Sequence, residues 1–138
     1  PFPNDSFQTI ICSEVLEHLD NETLHKGLAE INRILKSNGH ALITVPFKED
    51  LERSMITCPY CGKTFHKVGH IRSFDSKKEL RILLKKYGLK TKYIEILPLG
   101  AVSTIPPLRL FKFIFNKLDN PPGLRKRAII IAKPTQNQ

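Results

Sequence analysis

Two short stretches of this sequence carry residue types at spacings that could do chemistry. The first is Cys58-Pro59-Tyr60-Cys61-Gly62-Lys63-Thr64-Phe65-His66-Lys67-Val68-Gly69-His70, a C-x2-C-x4-H-x3-H run. A two-residue gap lets a pair of thiolates fold back onto one tetrahedral zinc ion, and Gly62, directly after Cys61, permits the tight turn. Cys58, Cys61, His66 and His70 are thus the expected ligands of a structural zinc, with no coordination position left for a substrate. The alternatives are a two-cysteine redox pair, which here lacks a thioredoxin-like surrounding, a metal-free loop, or a site whose fourth ligand comes from elsewhere.

The second is Glu14-x-x-Glu17-His18. On a helical turn, positions i, i+3 and i+4 share a face, so two carboxylates and an imidazole would point together. Such a set suits a divalent ion such as Mg²⁺. Without a metal, His18 or a glutamate could act as general base. The plain structural alternative is that acidic residues favour a helix N-terminus.

The elements that must position these groups can be read from hydrophobic periodicity. Phe7–Cys12 is short, β-branched and barely alternating, as expected of a strand buried on both faces. Asp20 or Asn21 can cap a helix carrying Leu24, Leu28, Ile31 and Leu35 on one stripe. Ser37-Asn38-Gly39 ends it, with Asn or Gly tolerating a left-handed cap, and Ala41–Val45 follows as a buried strand stopped by Pro46. Strand, helix and strand make a parallel β-α-β unit. Residues 48–74 show no period and read as an insertion. Ser76 with Glu79 forms a capping-box pattern before a helix bearing Leu80, Leu83, Leu84 and Tyr87, closed by Gly88. Tyr93–Leu97 and Ala128–Ala132 read as strands. The second of these follows without an obvious crossover helix, so an antiparallel placement is allowed. Residues 98–126, punctuated by prolines, form a basic and apolar excursion.

Composition bounds the rest. The chain has 138 residues, enough for one domain, with a net charge of +9. That charge is uneven: residues 1–50 hold 4 Lys/Arg against 8 Asp/Glu, and residues 51–138 hold 18 against 5. The basic half would attract an anionic partner, nucleic acid or acidic lipid, unless it is simply a solvated face. No run approaches the roughly 18 apolar residues of a membrane span, and none reads as a signal peptide. Three cysteines do not make a disulfide framework, and a reducing, cytoplasmic setting is expected.

The order of motifs carries a resemblance. Pro1–Phe7, the run Ile10-Ile11-Cys12-Ser13-Glu14-Val15-Leu16-Glu17-His18-Leu19, and Leu35-Lys36-Ser37-Asn38-Gly39-His40 leading into Ala41–Pro46 resemble class I S-adenosylmethionine-dependent methyltransferases. The resemblance implies that Phe7–Cys12 is the family's fourth strand and Ala41–Val45 its fifth. Ala128–Ala132 would then be an antiparallel seventh strand between the fifth and the sixth. It also implies that Cys12, Ser13 and Glu14 form part of the cofactor rim, with Glu14, Glu17 and His18 on the acceptor side. Some members that methylate hydroxyls use the E-x-x-E-H pattern for Mg²⁺. The departure is large: the seven glycines are isolated, and the family's Gly-rich cofactor turn is missing.

The expected protein is therefore α/β, the C-terminal half of a Rossmann-like methyltransferase sheet, mostly parallel with an antiparallel last strand, plus a small zinc-binding insertion. Residues 1–138 would be one partial domain. The whole enzyme would move a methyl group from S-adenosylmethionine to an oxygen or nitrogen of a small-molecule or glycan acceptor. This chain alone would bind the cofactor weakly or not at all. The competing expectation is a non-enzymatic, zinc-containing nucleic-acid-binding module.

Overall fold

Asp20 starts the helical layer. Its carboxylate accepts from the backbone N–H of Thr23 at 2.8 Å and from the Thr23 hydroxyl at 2.9 Å, satisfying a donor that no helical carbonyl can reach. Helix α1, Asn21–Ile34, then buries Leu24 and Leu28. In helix α2, Lys77–Lys86, the Ser76 hydroxyl accepts from the N–H groups of Lys78 and Glu79. The carboxylate of Glu79 reaches back to the N–H of Asp75, one residue before the cap, so the capping box closes one position early. The computed structural model describes residues 2–99 and 125–135. The expected excursion at 98–126 falls largely outside them.

The strands are β1 (Phe7–Ser13), β2 (Leu35–Phe47), β3 (Met55–Thr57), β4 (Thr64–His66), β5 (Leu89–Leu99) and β6 (Arg125–Pro134). The main sheet has the order β1-β2-β6-β5, with β3 and β4 forming a separate hairpin. Strands β1 and β2 run parallel, as their helical crossover requires. Strand β6 lies antiparallel between β2 and β5, the expected insertion of the last strand.

One face of this sheet packs on both helices. Ala41, Ile43, Val45, Ala128, Ile130 and Ala132 are buried there with Leu24, Leu28, Leu80 and Leu84. The other face is less covered. Leu42, Ile129 and Ile131 are half-buried, and Ile11 is 68% exposed. The expectation that Phe7–Cys12 is buried on both faces is thus corrected. Among the described residues β1 is an edge strand, and both helices lie on the same side of the sheet.

Three further expectations change. Helix α1 stops at Ile34, and Leu35 already belongs to β2. Gly39 is not left-handed. It is required because a Cβ there would sit 2.9 Å from the carbonyls of Gln8 and Lys36 and from a Leu35 methyl. Pro46 does not end β2, which continues to Phe47 against β6. Pairing to β1 has finished at Ser13–Thr44, leaving an edge on that side where a missing N–H is tolerated. Gly88 does adopt the left-handed conformation expected after α2, with φ of 74°. Among the described residues no helix is long and apolar enough to cross a membrane.

Candidate functional site

The carboxyl ends of parallel strands are where open α/β sheets bind ligands, and β1 ends at Ser13. Glu14 follows in the left-handed conformation, φ 54°, an uncommon state for a side-chain-bearing residue. Three contacts hold it there. Its N–H donates to the Thr44 carbonyl at 3.0 Å, its Oε1 accepts from the Thr44 hydroxyl at 3.1 Å, and its Oε2 pairs with Arg127 Nε at 2.5 Å. The hydroxyls of Ser13 and Thr44 share a hydrogen bond of 2.7 Å. Ser13, Glu14, Thr44, Arg127 and Ile129 line a shallow pocket of about 310 Å³ on the less covered face. Thr44 and Arg127 were not foreseen from sequence, although Thr44 sits in β2 where the register with Ser13 puts it.

Cys12 does not join this pocket. Its side chain packs against the helix-side core, and burial, followed by the charge of Glu17, pushes its thiol pKa up. Its side chain thus serves as a small core residue, and a rim contact could come only from its backbone.

Glu14, Glu17 and His18 do not share a helical face. The turn at Leu16–His18 is a single 3₁₀ turn, and Glu14 lies before it in a left-handed state. Glu14 consequently turns to Arg127, whereas Glu17 turns inward. Glu17 is fully buried, and neither of its carboxylate oxygens has a hydrogen-bond partner. Burial raises its pKa, the largest cause of its shift. The three-residue Mg²⁺ set expected from spacing is thus not assembled.

Nor is the Cys2His2 set. The two cysteines do fold back as a knuckle. Gly62 has φ of 69°, and backbone N–H groups of Cys61 and Tyr60 hydrogen-bond the Cys58 sulfur, lowering its pKa. The knuckle, however, is the tip of the β3–β4 hairpin, and the register pairs Thr57 with Thr64 but His66 with Met55. His66 is therefore two residues down the strand, about 7 Å from the tip. It is buried, as is His70, while Cys61 is exposed. Among the described residues, the groupings of possible metal ligands within 4.8 Å of one another are Glu17, His18 and His70, and Glu49, His66 and His70; the cysteines belong to neither.

His70 is the hinge of both groupings. Its Nδ1 contacts the Glu49 carboxylate, and its Nε2 lies 3.9 Å from Glu17 Oε1. The His66 ring stacks on it at 4.9 Å, and His66 Nδ1 accepts from the His70 N–H at 3.0 Å. His18 meets it edge-on at 4.8 Å, with Nδ1 donating to the Gly69 carbonyl at 3.1 Å. The insertion is fastened beneath by Ile71 N–H on the Glu17 carbonyl, at 2.9 Å, and by Arg72 on the Leu19 carbonyl and Asn21. Glu49 and Gly69 carry no sequence signal of their own. They were found only because residues 48–74 fold back onto the turn after β1.

A mixed sheet of this order, a polar cluster at the strand ends and a crossover helix define a Rossmann-like methyltransferase fold. A family model described as a methyltransferase domain matches residues 1–93. The chain belongs to that methyltransferase-domain family. An uncharacterized protein of Methanocaldococcus jannaschii is 36% identical over 75 residues, covering 54% of this chain and 31% of its own. An S-adenosylmethionine-dependent methyltransferase of Methanosarcina mazei superposes with a TM-score of 0.65 at 15% identity, over 99% of this chain and 63% of the other. The 1,6-didemethyltoxoflavin-N1-methyltransferase of Burkholderia thailandensis, solved with S-adenosylhomocysteine, gives 0.62 at 15% identity, over 96% and 46%. The chain thus spans about a third of the curated relative's length and roughly half to two thirds of these two structures. At such identities the structural likeness speaks for the fold.

Proposed function

We propose that this chain is the C-terminal half of an enzyme that transfers a methyl group from S-adenosylmethionine to an oxygen or nitrogen of a small-molecule or glycan acceptor. The observation that carries the reading is the left-handed Glu14, held by Thr44 and Arg127 beside Ser13 at the carboxyl end of β1. Strained backbone at a strand end is where a ligand-shaping residue is expected. Ser13 and Glu14 supply the cofactor rim. Serine and carboxylate oxygens there can accept from the amine and hydroxyl groups of S-adenosylmethionine. Methyl transfer is an in-line displacement at a sulfonium carbon, so the protein's main work is alignment of the acceptor.

His18 is exposed at the same end, with a ring nitrogen left over after Nδ1 has donated to Gly69, and it is placed to receive an acceptor proton. Glu17 lies behind it. Residues 48–74 form a wall of the acceptor pocket. The nucleic-acid-binding alternative has lost its main support, since the knuckle and the histidines are apart.

Calorimetry with S-adenosylhomocysteine tests the reading. The longer protein carrying a Gly-rich turn upstream should bind it, and this chain alone should bind weakly or not at all. No heat from the longer protein would reject the reading. In that protein His18→Ala should cut turnover, and unchanged turnover would remove His18 from the acceptor side.

A further inference from the structure

The methyl-transfer reading leaves one motif unused, the cysteine knuckle at the tip of the β3–β4 hairpin. Its backbone closes on itself. The Cys58 N–H donates to the Lys63 carbonyl at 2.9 Å, and the Gly62 N–H donates to the Cys58 carbonyl at 2.9 Å. Gly62 makes the fold-back with φ of 69°, in open space. The N–H groups of Tyr60 and Cys61 both turn to the Cys58 sulfur, and the Cys61 side chain hydrogen-bonds it too. Successive backbone N–H groups converging on one atom form a cradle for an anion, here a thiolate. Cys61 is exposed and Cys58 half-buried, so the pair is open to solvent.

Two thiolates at this spacing can hold one side of a tetrahedral zinc ion, which leaves two positions to fill. The rest of the chain does not fill them. Among the described residues the pair joins no third thiol, imidazole or carboxylate in a cluster able to hold an ion. His66 lies two residues down β4 and is buried, and His70 is engaged with Glu49. The surroundings of the tip indicate what completes the set. Lys63 is exposed directly after the turn. Four thiolates around one divalent ion carry two negative charges in excess, and two copies of the chain would bring one Lys63 ammonium each to oppose them. Tyr60, between the cysteines, is 97% exposed, and the cross-strand pair Ile56 and Phe65 is exposed on the hairpin behind it. Exposed apolar side chains gathered at one tip mark an interaction surface. A two-fold axis through the ion supplies the same thiolates, the same lysine and the same apolar side chains from each copy.

We propose that Cys58 and Cys61 are half of a zinc site that a second copy of this chain completes, one ion joining two hairpin tips through four thiolates. A tetrahedral all-sulfur set selects zinc over Mg²⁺ or Ca²⁺, which prefer oxygen shells. The ion's role is structural, because four protein ligands leave no position for a substrate. The site uses none of Ser13, Glu14, Glu17 and His18, and it stands independently of the methyl-transfer reading, because its test needs no cofactor.

The test is titration of the reduced, chelator-stripped chain with Zn²⁺ by calorimetry and with Co²⁺ by visible absorption, the mass being followed by light scattering. About one ion per two chains is expected, with the intense thiolate-to-cobalt bands of a sulfur-ligated tetrahedral site. The mass should double with metal and return to its starting value with EDTA. Cys61→Ser, at an exposed position, should lose at least about a hundredfold in affinity and abolish the metal-dependent dimer while far-UV circular dichroism stays unchanged. Lys63→Glu should weaken the zinc-dependent pairing about tenfold, and Lys63→Arg should leave it near the parent. Absence of binding, binding that survives Cys61→Ser, or about one ion per chain with an unchanged mass would each overturn the proposal.

Discussion

Glu14 at the end of β1 and Arg127 in β6 form a 2.5 Å ion pair that reaches across β2. It links the first strand to the last over more than a hundred residues of chain. The arginine is mostly buried and the glutamate about a third exposed. Solvent therefore screens the pair, and its net worth is modest, about 1 kcal/mol or less. Arg127→Met should lower urea-derived stability by no more than that. Its larger effect should fall on preorganisation. In the longer protein, affinity for S-adenosylhomocysteine should drop roughly tenfold, because Glu14 is no longer held in its left-handed state. An unchanged affinity would separate the ion pair from the ligand rim.

Gly39 makes a test of packing rather than of conformation. A methyl group there meets two backbone carbonyls at 2.9 Å, and backbone cannot rotate away as a side chain can. Gly39→Ala should cost about 1–3 kcal/mol in a denaturant series, the range of an overpacked site. Gly62→Ala is the control. It meets nothing within 4 Å and pays only for its positive φ, about 1–2 kcal/mol.

The parts of the fold that the sequence discloses are those with a period. Leu24 and Leu28 at helical spacing, the caps Asp20 and Ser76, and the apolar runs of β2 and β6 all appear where the pattern puts them. The antiparallel direction of β6 was legible as an option from the missing crossover helix, and its place between β2 and β5 only through the family resemblance. The β3–β4 hairpin was not legible, because strands of three residues with mostly exposed side chains leave no alternation to count. The expected grouping of the histidines with the cysteines fails for a related reason. Spacing along the chain groups His66 and His70 with the cysteines. The hairpin register carries His66 away from the tip, and the contact of Ile71 with Glu17 draws His70 onto the turn after β1. Local spacing reports only what a turn can gather, and His70 meets Glu17 from 53 positions away.

The cysteines offer a chemical reading of the same geometry. Hydrogen bonds from the backbone of Cys61 and Tyr60, then from the Cys61 side chain, lower the Cys58 pKa, whereas burial raises that of Cys12. Alkylation follows the thiolate fraction. With iodoacetamide near neutral pH, Cys58 should be modified first and Cys12 should stay unmodified in the folded chain. Peptide mapping by mass spectrometry checks the order, and early loss of Cys12 would contradict the core position assigned to it.

The pH dependence of stability should carry a recognisable contribution from Asp20. The Thr23 N–H and hydroxyl, both donors to its carboxylate, hold its pKa below the ordinary 3.8. The unfolded chain therefore binds this proton at a higher pH than the folded one does. Between the two values the unfolded state holds more protons, and stability rises with pH. The contribution is complete above the unfolded value and fades as pH falls through the depressed folded one. Asn caps a helix about as well as Asp but has no proton to bind in this range. Asp20→Asn should thus match the parent in thermal unfolding at pH 7 and lose less stability on acidification towards pH 3. A variant that keeps the parent's full acid slope would show that the slope does not come from Asp20.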